Sequence, residues 1–184
     1  MELNSIDWER AEQFVNRIQI RITKAVLAGK HHLVKRLQYL LSHSYYAKAL
    51  AVKRVTTSKG KRTPGIDGVI WSQSSQKMHA VYGLGERNYK SKPLKSVYIK
   101  KYGKSEKRPL SIPAMPDREM QALHLLTLEP IAETTADNVS FGFRKYRSTH
   151  DAMSHIFNLL AKKNAGSWVL EGDIKLWNES RCKL

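Results

Sequence analysis

Apolar residues early in the chain fall on helical spacing. Trp8, Ala11, Val15, Ile18, Ile22, Ala25 and Val26 recur at steps of three and four, which lines one side of a helix. Gly29 reads as its C-terminal stop. Leu33, Val34, Leu37, Leu40 and Leu41 repeat the pattern, and Ser44 is placed to cap a third helix through Tyr45, Ala49, Leu50 and Val52. The pattern therefore predicts helices over residues 8 to about 57. Their opposite faces carry Arg17, Arg21, Lys24, Lys35, Arg36, Lys48, Lys53 and Arg54. Any one of these reads as a solvated lysine or arginine, but the run is one-sided.

The periodicity then breaks. Residues 58–68 hold Gly60, Pro64, Gly65, Asp67 and Gly68, which predicts a loop without regular structure, made cationic by Lys59, Lys61 and Arg62. Further on, Ser96-Val97-Tyr98-Ile99 and Pro109-Leu110-Ser111-Ile112 read as short strands, with a turn at Tyr102-Gly103-Lys104-Ser105. Pro109 points to an edge position. Asp117 reads as the cap of a helix from Arg118 to about Thr134, with Met120, Leu123, Leu126 and Leu128 available for burial. Ser148 to Asp151 resembles a capping box with aspartate in the glutamate slot, ahead of an apolar face of Ala152, Ile156, Phe157 and Leu160. Ser167 to Leu170 reads as a strand delivering Glu171, Gly172 and Asp173. The predicted class is α+β: a helical extension over 1–57, a basic loop and linker over 58–93, and a hairpin-plus-helix region with the start of a further sheet over 94–184.

Charge changes the picture more than hydropathy does. The chain has 32 Lys+Arg against 16 Asp+Glu, a formal charge of +16. Self-repulsion of that size opposes compaction unless an anionic partner neutralises it, and nucleic acid is the commonest one. One stretch, Arg87 to Arg118, has ten Lys/Arg against only Glu106 and Asp117. Hydrophobic residues make up 41%, enough for a core. The single cysteine, Cys182, leaves no intrachain disulfide and no Cys-based zinc site. The first ten residues carry Glu2, Asp7 and Glu9 and do not read as a signal peptide. No apolar run approaches the ~20 residues of a membrane span. The expected setting is cytoplasmic, with no membrane partner. His124, His150 and His155 show no metal-ligand spacing, and His150 reads as part of the helix cap.

Four segments, in order, resemble the group II intron-encoded reverse transcriptase/maturase family. Thr63-Pro64-Gly65-Ile66-Asp67-Gly68 is similar to the motif ahead of that family's fingers. Arg108-Pro109-Leu110-Ser111-Ile112-Pro113, through Asp117-Arg118 to Leu128-Glu129-Pro130-Ile131, is similar to its first polymerase block. Ser140-Phe141-Gly142-Phe143-Arg144, with Arg147-Ser148-Thr149-His150-Asp151-Ala152, is similar to the second, and Leu170-Glu171-Gly172-Asp173-Ile174-Lys175 to the start of the third. The helices before residue 57 are similar in character to the family's N-terminal extension.

The resemblance implies an RNA-directed DNA polymerase, with fingers formed by the hairpin and helices and a palm beginning at its first strand. Polymerisation uses two divalent ions clamped by carboxylates. Asp173, as catalytic residue, and the Ile174 carbonyl are the implied ligands for Mg2+. Lys101 and Arg108 are implied to meet the nucleotide triphosphate. Lys59, Lys61, Arg62, Lys100, Lys104, Arg144 and Arg147 are the expected RNA contacts; Arg144 and Arg147 read alternatively as surface ion pairs, for instance with Asp151. Phe141 and Phe143 read as core, and Tyr98 as ambiguous. After Lys175 the pattern stops, and the family's Tyr-Ala-Asp-Asp block does not occur in the 184 residues. The expectation is a broken or fragmentary polymerase unable to polymerise alone. The alternative is a non-catalytic RNA-binding, maturase-like module that helps intron RNA fold or splice. Intron RNA is the expected partner, with a DNA primer or target for the full-length family, and an unfinished palm strand predicts self-association.

Overall fold

The computed structural model describes residues 5–85, 89–103, 105–166 and 168–172. Among these residues, six α-helices and one hairpin run in the order α1 (Trp8–Leu27), α2 (His31–His43), α3 (Tyr45–Thr57), α4 (Ser74–Gly83), β1 (Lys95–Lys100), β2 (Lys107–Ile112), α5 (Met115–Thr135) and α6 (Thr149–Leu160). They fall into two compact units, residues 1–134 and 135–184.

In the first unit, capping sets the helix ends. Asp7 accepts from the Arg10 N–H at 2.9 Å to start α1, and Gly29 ends it with φ +65. Ser44 accepts from the Ala47 N–H at 3.2 Å to start α3. Ala11, Val15, Ile18, Ile22 and Ala25 are buried as their spacing predicts. In α2 only Val34, Leu37 and Leu41 are buried; Leu33 and Leu40 are exposed. The main core joins α1, α2, α3 and α5. A second cluster sets Ala49 and Val52 of α3 against Met78, Ala80 and Val81 of α4. Helix α3 thus packs on two sides, and its alanines keep both approaches close.

Helix α4 lies within the stretch read as linker, and a 3-10 turn, Lys59–Arg62, lies within the stretch read as loop. Helix α5 begins at Met115, two residues before the predicted cap, so Asp117 sits in its first turn and is buried. Leu128 is 53% exposed rather than packed. The helix also runs through Pro130. Proline has no N–H, so the Leu126 carbonyl four residues back loses its helical donor. Gln19 of α1 supplies one: its side-chain amide donates to Leu126 O at 2.8 Å. Gln19→Leu is therefore expected to lower stability by about 1–2 kcal/mol in urea unfolding. In a Pro130→Ala background, where residue 130 regains a donor, the loss should shrink. Equal losses in both backgrounds would show that Gln19 does not serve that carbonyl.

The hairpin pairs Lys95↔Ile112 through Lys100↔Lys107, and Gly103 turns it with φ +69. Pro109 lies on β2 opposite Tyr98; with two strands both are edges, as the proline predicts.

In the second unit, α6 opens with the predicted capping box: the Asp151 N–H donates to Ser148 Oγ at 3.3 Å and the Ser148 N–H to Asp151 Oδ2 at 2.7 Å. Its apolar side is present but exposed, with Ile156 48% and Phe157 69% accessible. Residues 168–172 form no strand, and Trp168, Val169 and Leu170 are exposed. A β segment needs a neighbouring strand to bond to, and the strands among the described residues pair with each other. The expected palm strand, with its self-association edge, is not formed over these residues.

Candidate nucleic-acid interface

The Thr63-to-Gly68 motif is a packed junction. A Cβ built on Gly65 would lie 2.5 Å from Ala114 Cα and 2.8 Å from its nitrogen. Only glycine lets the two backbones approach this closely. Asp67 accepts from the Val69 N–H at 3.2 Å and pairs with Lys92 Nζ at 2.9 Å. Burial pushes the Asp67 carboxyl up, but the Lys92 ammonium and the Val69 N–H outweigh it and hold it below the usual carboxylate range.

Arg118 ties this junction together. Its Nε donates to Pro113 O at 2.9 Å, Nη1 to Gly60 O at 2.9 Å and Nη2 to Thr63 O at 2.7 Å. The guanidinium fork spends its donors on three carbonyls, one just past β2 and two on the basic turn. Beside it, buried Asp117 accepts from the Tyr89 hydroxyl and from the Lys92 N–H at 3.4 Å. Burial and then the Asp117 carboxylate push the Tyr89 phenol well up. Asp117-Arg118 therefore works as a structural hub rather than a helix cap. Sequence reading gave Arg118 no role; two of its three carbonyl acceptors, Gly60 and Thr63, lie 58 and 55 residues away and leave no local signal.

The consequence is a fixed display of cations. Lys59, Lys61 and Arg62 occupy the 3-10 turn and are exposed. The same guanidinium links that turn to the end of the hairpin. On the hairpin, Lys100 and Lys107 are cross-strand partners. Like charges directly opposite are destabilising, and a polyanion relieves that cost. Arg108 pairs with Ile99, one step along the ladder, and so lies on the other face from Lys100 and Lys107. Lys101 bonds Glu106, at 2.9 Å between side chains, so its charge is already partnered. Lys104 lies outside the described residues. Tyr98 is 66% exposed on the lysine-bearing face.

In the second unit, Arg144 Nη1 donates to Asp137 O at 2.6 Å and Ser140 O at 3.0 Å. Asp137 caps the same turn, accepting from the N–H groups of Val139 and Ser140; the Ser140 hydroxyl and the Val139 N–H hold its carboxyl low. Arg144 thus braces its own loop. Arg147 is exposed, and its charge, after the Ser148 hydroxyl and N–H, helps hold the Asp151 carboxyl low. Phe141 is half-buried, its ring 5.7 Å from that of His155. Phe143 is fully exposed, with a left-handed φ of 61, and so is not core.

Asp173 and Ile174 lie outside the described residues. Among those described, no three His, Cys, Asp or Glu groups come together to hold a metal ion. Among them, no helix is long and apolar enough to cross a membrane.

Residues 3–84 match the family described as the N-terminal domain of reverse transcriptase. The chain is 34% identical over 160 residues to the group II intron-encoded protein LtrA of Lactococcus lactis subsp. cremoris, covering 84% of this chain and 26% of that one. It is 34% identical over 148 residues to protein YkfC of Escherichia coli (strain K12), covering 77% of this chain and 38% of that one. A putative COX1/OXI3 intron 1 protein of Saccharomyces cerevisiae is 30% identical over 131 residues, 68% of this chain and 15% of the yeast protein. This chain belongs to the group II intron-encoded reverse transcriptase/maturase family and represents an N-terminal part of it. It spans well under half the length of each of these relatives.

Proposed function

We propose that the chain is an RNA-binding unit that grips the phosphate backbone of structured RNA, its natural ligand being a group II intron RNA whose folding or splicing it assists. The observation that carries this reading is the junction itself. Gly65 and Arg118 hold an exposed basic turn and the base of a lysine-bearing hairpin in one piece. A rigid cationic surface suits a rigid polyanion, because neither side then has to be ordered on binding. Phosphate contacts of this kind position RNA without reading its sequence.

The Tyr-Ala-Asp-Asp block does not occur in these 184 residues, and primer extension by this chain alone is not expected. Lys101 and Arg108 are the proposed nucleotide contacts, with Lys101 in an exposed ion pair with Glu106 that a triphosphate can displace.

Charge reversal tests the surface. Lys61→Glu with Arg62→Glu should weaken binding by about tenfold or more for structured RNAs of unrelated sequence, because the lost contacts are to phosphate. Glu9→Lys, on α1, should leave binding undiminished. A double reversal that binds RNA as tightly as the parent chain would remove this turn from the interface.

A further inference from the structure

The first unit contains a cavity of about 300 Å³ that the basic surface does not use, lined in part by Trp71, Gln76, His79, Tyr89, Glu119 and Met120. That volume is at the small end of ligand sites and suits a single planar ring system. Its lining is mostly apolar and aromatic, with Gln76, His79 and Glu119 as the polar side chains, and Glu119 is the acidic one. Glu119 is 2% exposed, and its Oε1 makes no hydrogen bond. A buried carboxyl without a partner is costly, and a fold needing only packing would place an aliphatic residue there.

A group that completes such a site must bring N–H donors on an apolar, planar body. A cationic ligand would meet the field of a chain carrying +16, with Lys48 already acting on Glu119. A nucleotide avoids this conflict, because its phosphate is anionic and its base is neutral. Among the bases, guanine presents two adjacent donors, N1–H and the 2-amino group, which match the two oxygens of one carboxylate. The apolar and aromatic walls suit its ring.

We infer that this cavity is a guanine-binding site, with the Glu119 carboxylate accepting from N1–H and the 2-amino group. The guanine comes from a free nucleotide or from an unpaired position in a bound RNA. The strand source rests on the RNA-binding reading above, whereas the free-nucleotide source does not.

Burial holds the Glu119 carboxyl neutral up to about pH 8, so guanine must bind with release of its proton. Affinity should therefore rise between pH 6 and pH 8. The titratable and charged groups around it are Lys48 of α3, His79 of α4 and Tyr89, whose hydroxyl donates to Asp117.

The test compares guanosine and inosine monophosphates, which differ only in the 2-amino group, by calorimetry on the full chain and on Glu119→Gln. A second arm compares single-stranded RNA oligonucleotides carrying one guanosine or one inosine. The expected result is a preference for guanine of about tenfold, rising with pH and lost in Glu119→Gln, whose melting temperature shows that it folds. Preference among mononucleotides assigns the site to free nucleotide; preference only among oligonucleotides assigns it to a strand. If neither arm prefers guanine, or if the preference survives Glu119→Gln, the site is overturned. Salt-sensitive RNA binding that persists without any such preference would leave the phosphate-binding reading standing.

Discussion

Gly65→Ala is expected to lower the stability of the chain by about 3 kcal/mol or more, beyond the usual cost of an added core methyl. The new Cβ would sit 2.5 Å from Ala114 Cα, 2.8 Å from its nitrogen and 3.0 Å from Pro113 O. All three are backbone atoms between β2 and α5, so no side chain can swing aside. Either the basic turn or the entry to α5 must move, and the Arg118 bonds to Gly60 and Thr63 would be strained with it. Gly68→Ala is the matched control. Gly68 has φ +70 but nothing within 4 Å of a built Cβ, so only the left-handed backbone is penalised, by about 1–2 kcal/mol. In urea unfolding, the Gly65 variant should lose far more than the Gly68 variant. Equal losses would mean that the junction yields.

The second large effect is a pH dependence carried by Glu119. Burial raises its folded pKa to about 8 from the ordinary 4.5, with Lys48 opposing. Between those values the folded chain holds a proton that the unfolded chain has released. Stability is therefore full below pH 4.5 and falls as pH rises towards 8, by about 1.4 kcal/mol per pH unit at most. Asp67, whose pKa is lowered, acts on the acid side of this window and does not offset it. Glu119→Gln should flatten the profile between pH 5 and 8, and Glu119→Leu should be more stable than the parent at pH 8. A parent chain as stable at pH 8 as at pH 5, or a Gln variant with the parent's slope, would contradict the assignment.

The helices of the first unit were legible because burial imposes a period. Ala11, Val15, Ile18, Ile22 and Ala25 are the inward positions that spacing picks out. The caps at Ser44 and Ser148 were legible because each is a local bond between near neighbours. Helix α4 was not. Its buried apolar residues are few, Met78 and Val81 three apart with Ala80 between them, too short a run to mark a period in a ten-residue helix, and its cap is a pair of glutamines, Gln73 and Gln76.

The cations of the candidate interface were visible as composition, but their arrangement was not. Strand register sends Arg108 to the face opposite Lys100 and Lys107, and only the hairpin pairing reveals this. Gly65 and Arg118 act on partners about 50 residues away in sequence, beyond any local pattern. Glu119 left a trace, since it stands four residues before buried Leu123 and three before buried Ala122. A charged residue at an inward helical position marks a place where packing alone does not decide the side chain.

The salt dependence of binding to a structured RNA tests the central claim most directly. Each phosphate neutralised by lysine or arginine releases condensed counterion, so affinity falls linearly on logarithmic axes. About five contacts give a slope of about −3.5 if the contacted phosphates lie in single strands, at about 0.7 per phosphate, and steeper where they lie in helices. Losing Lys61 and Arg62 should flatten that slope by about 1.4. In a filter-binding titration from low to high salt, a steep slope for the parent and a shallower one for the double reversal is the predicted result. Affinity that does not change with salt would contradict the claim that this positive surface binds RNA.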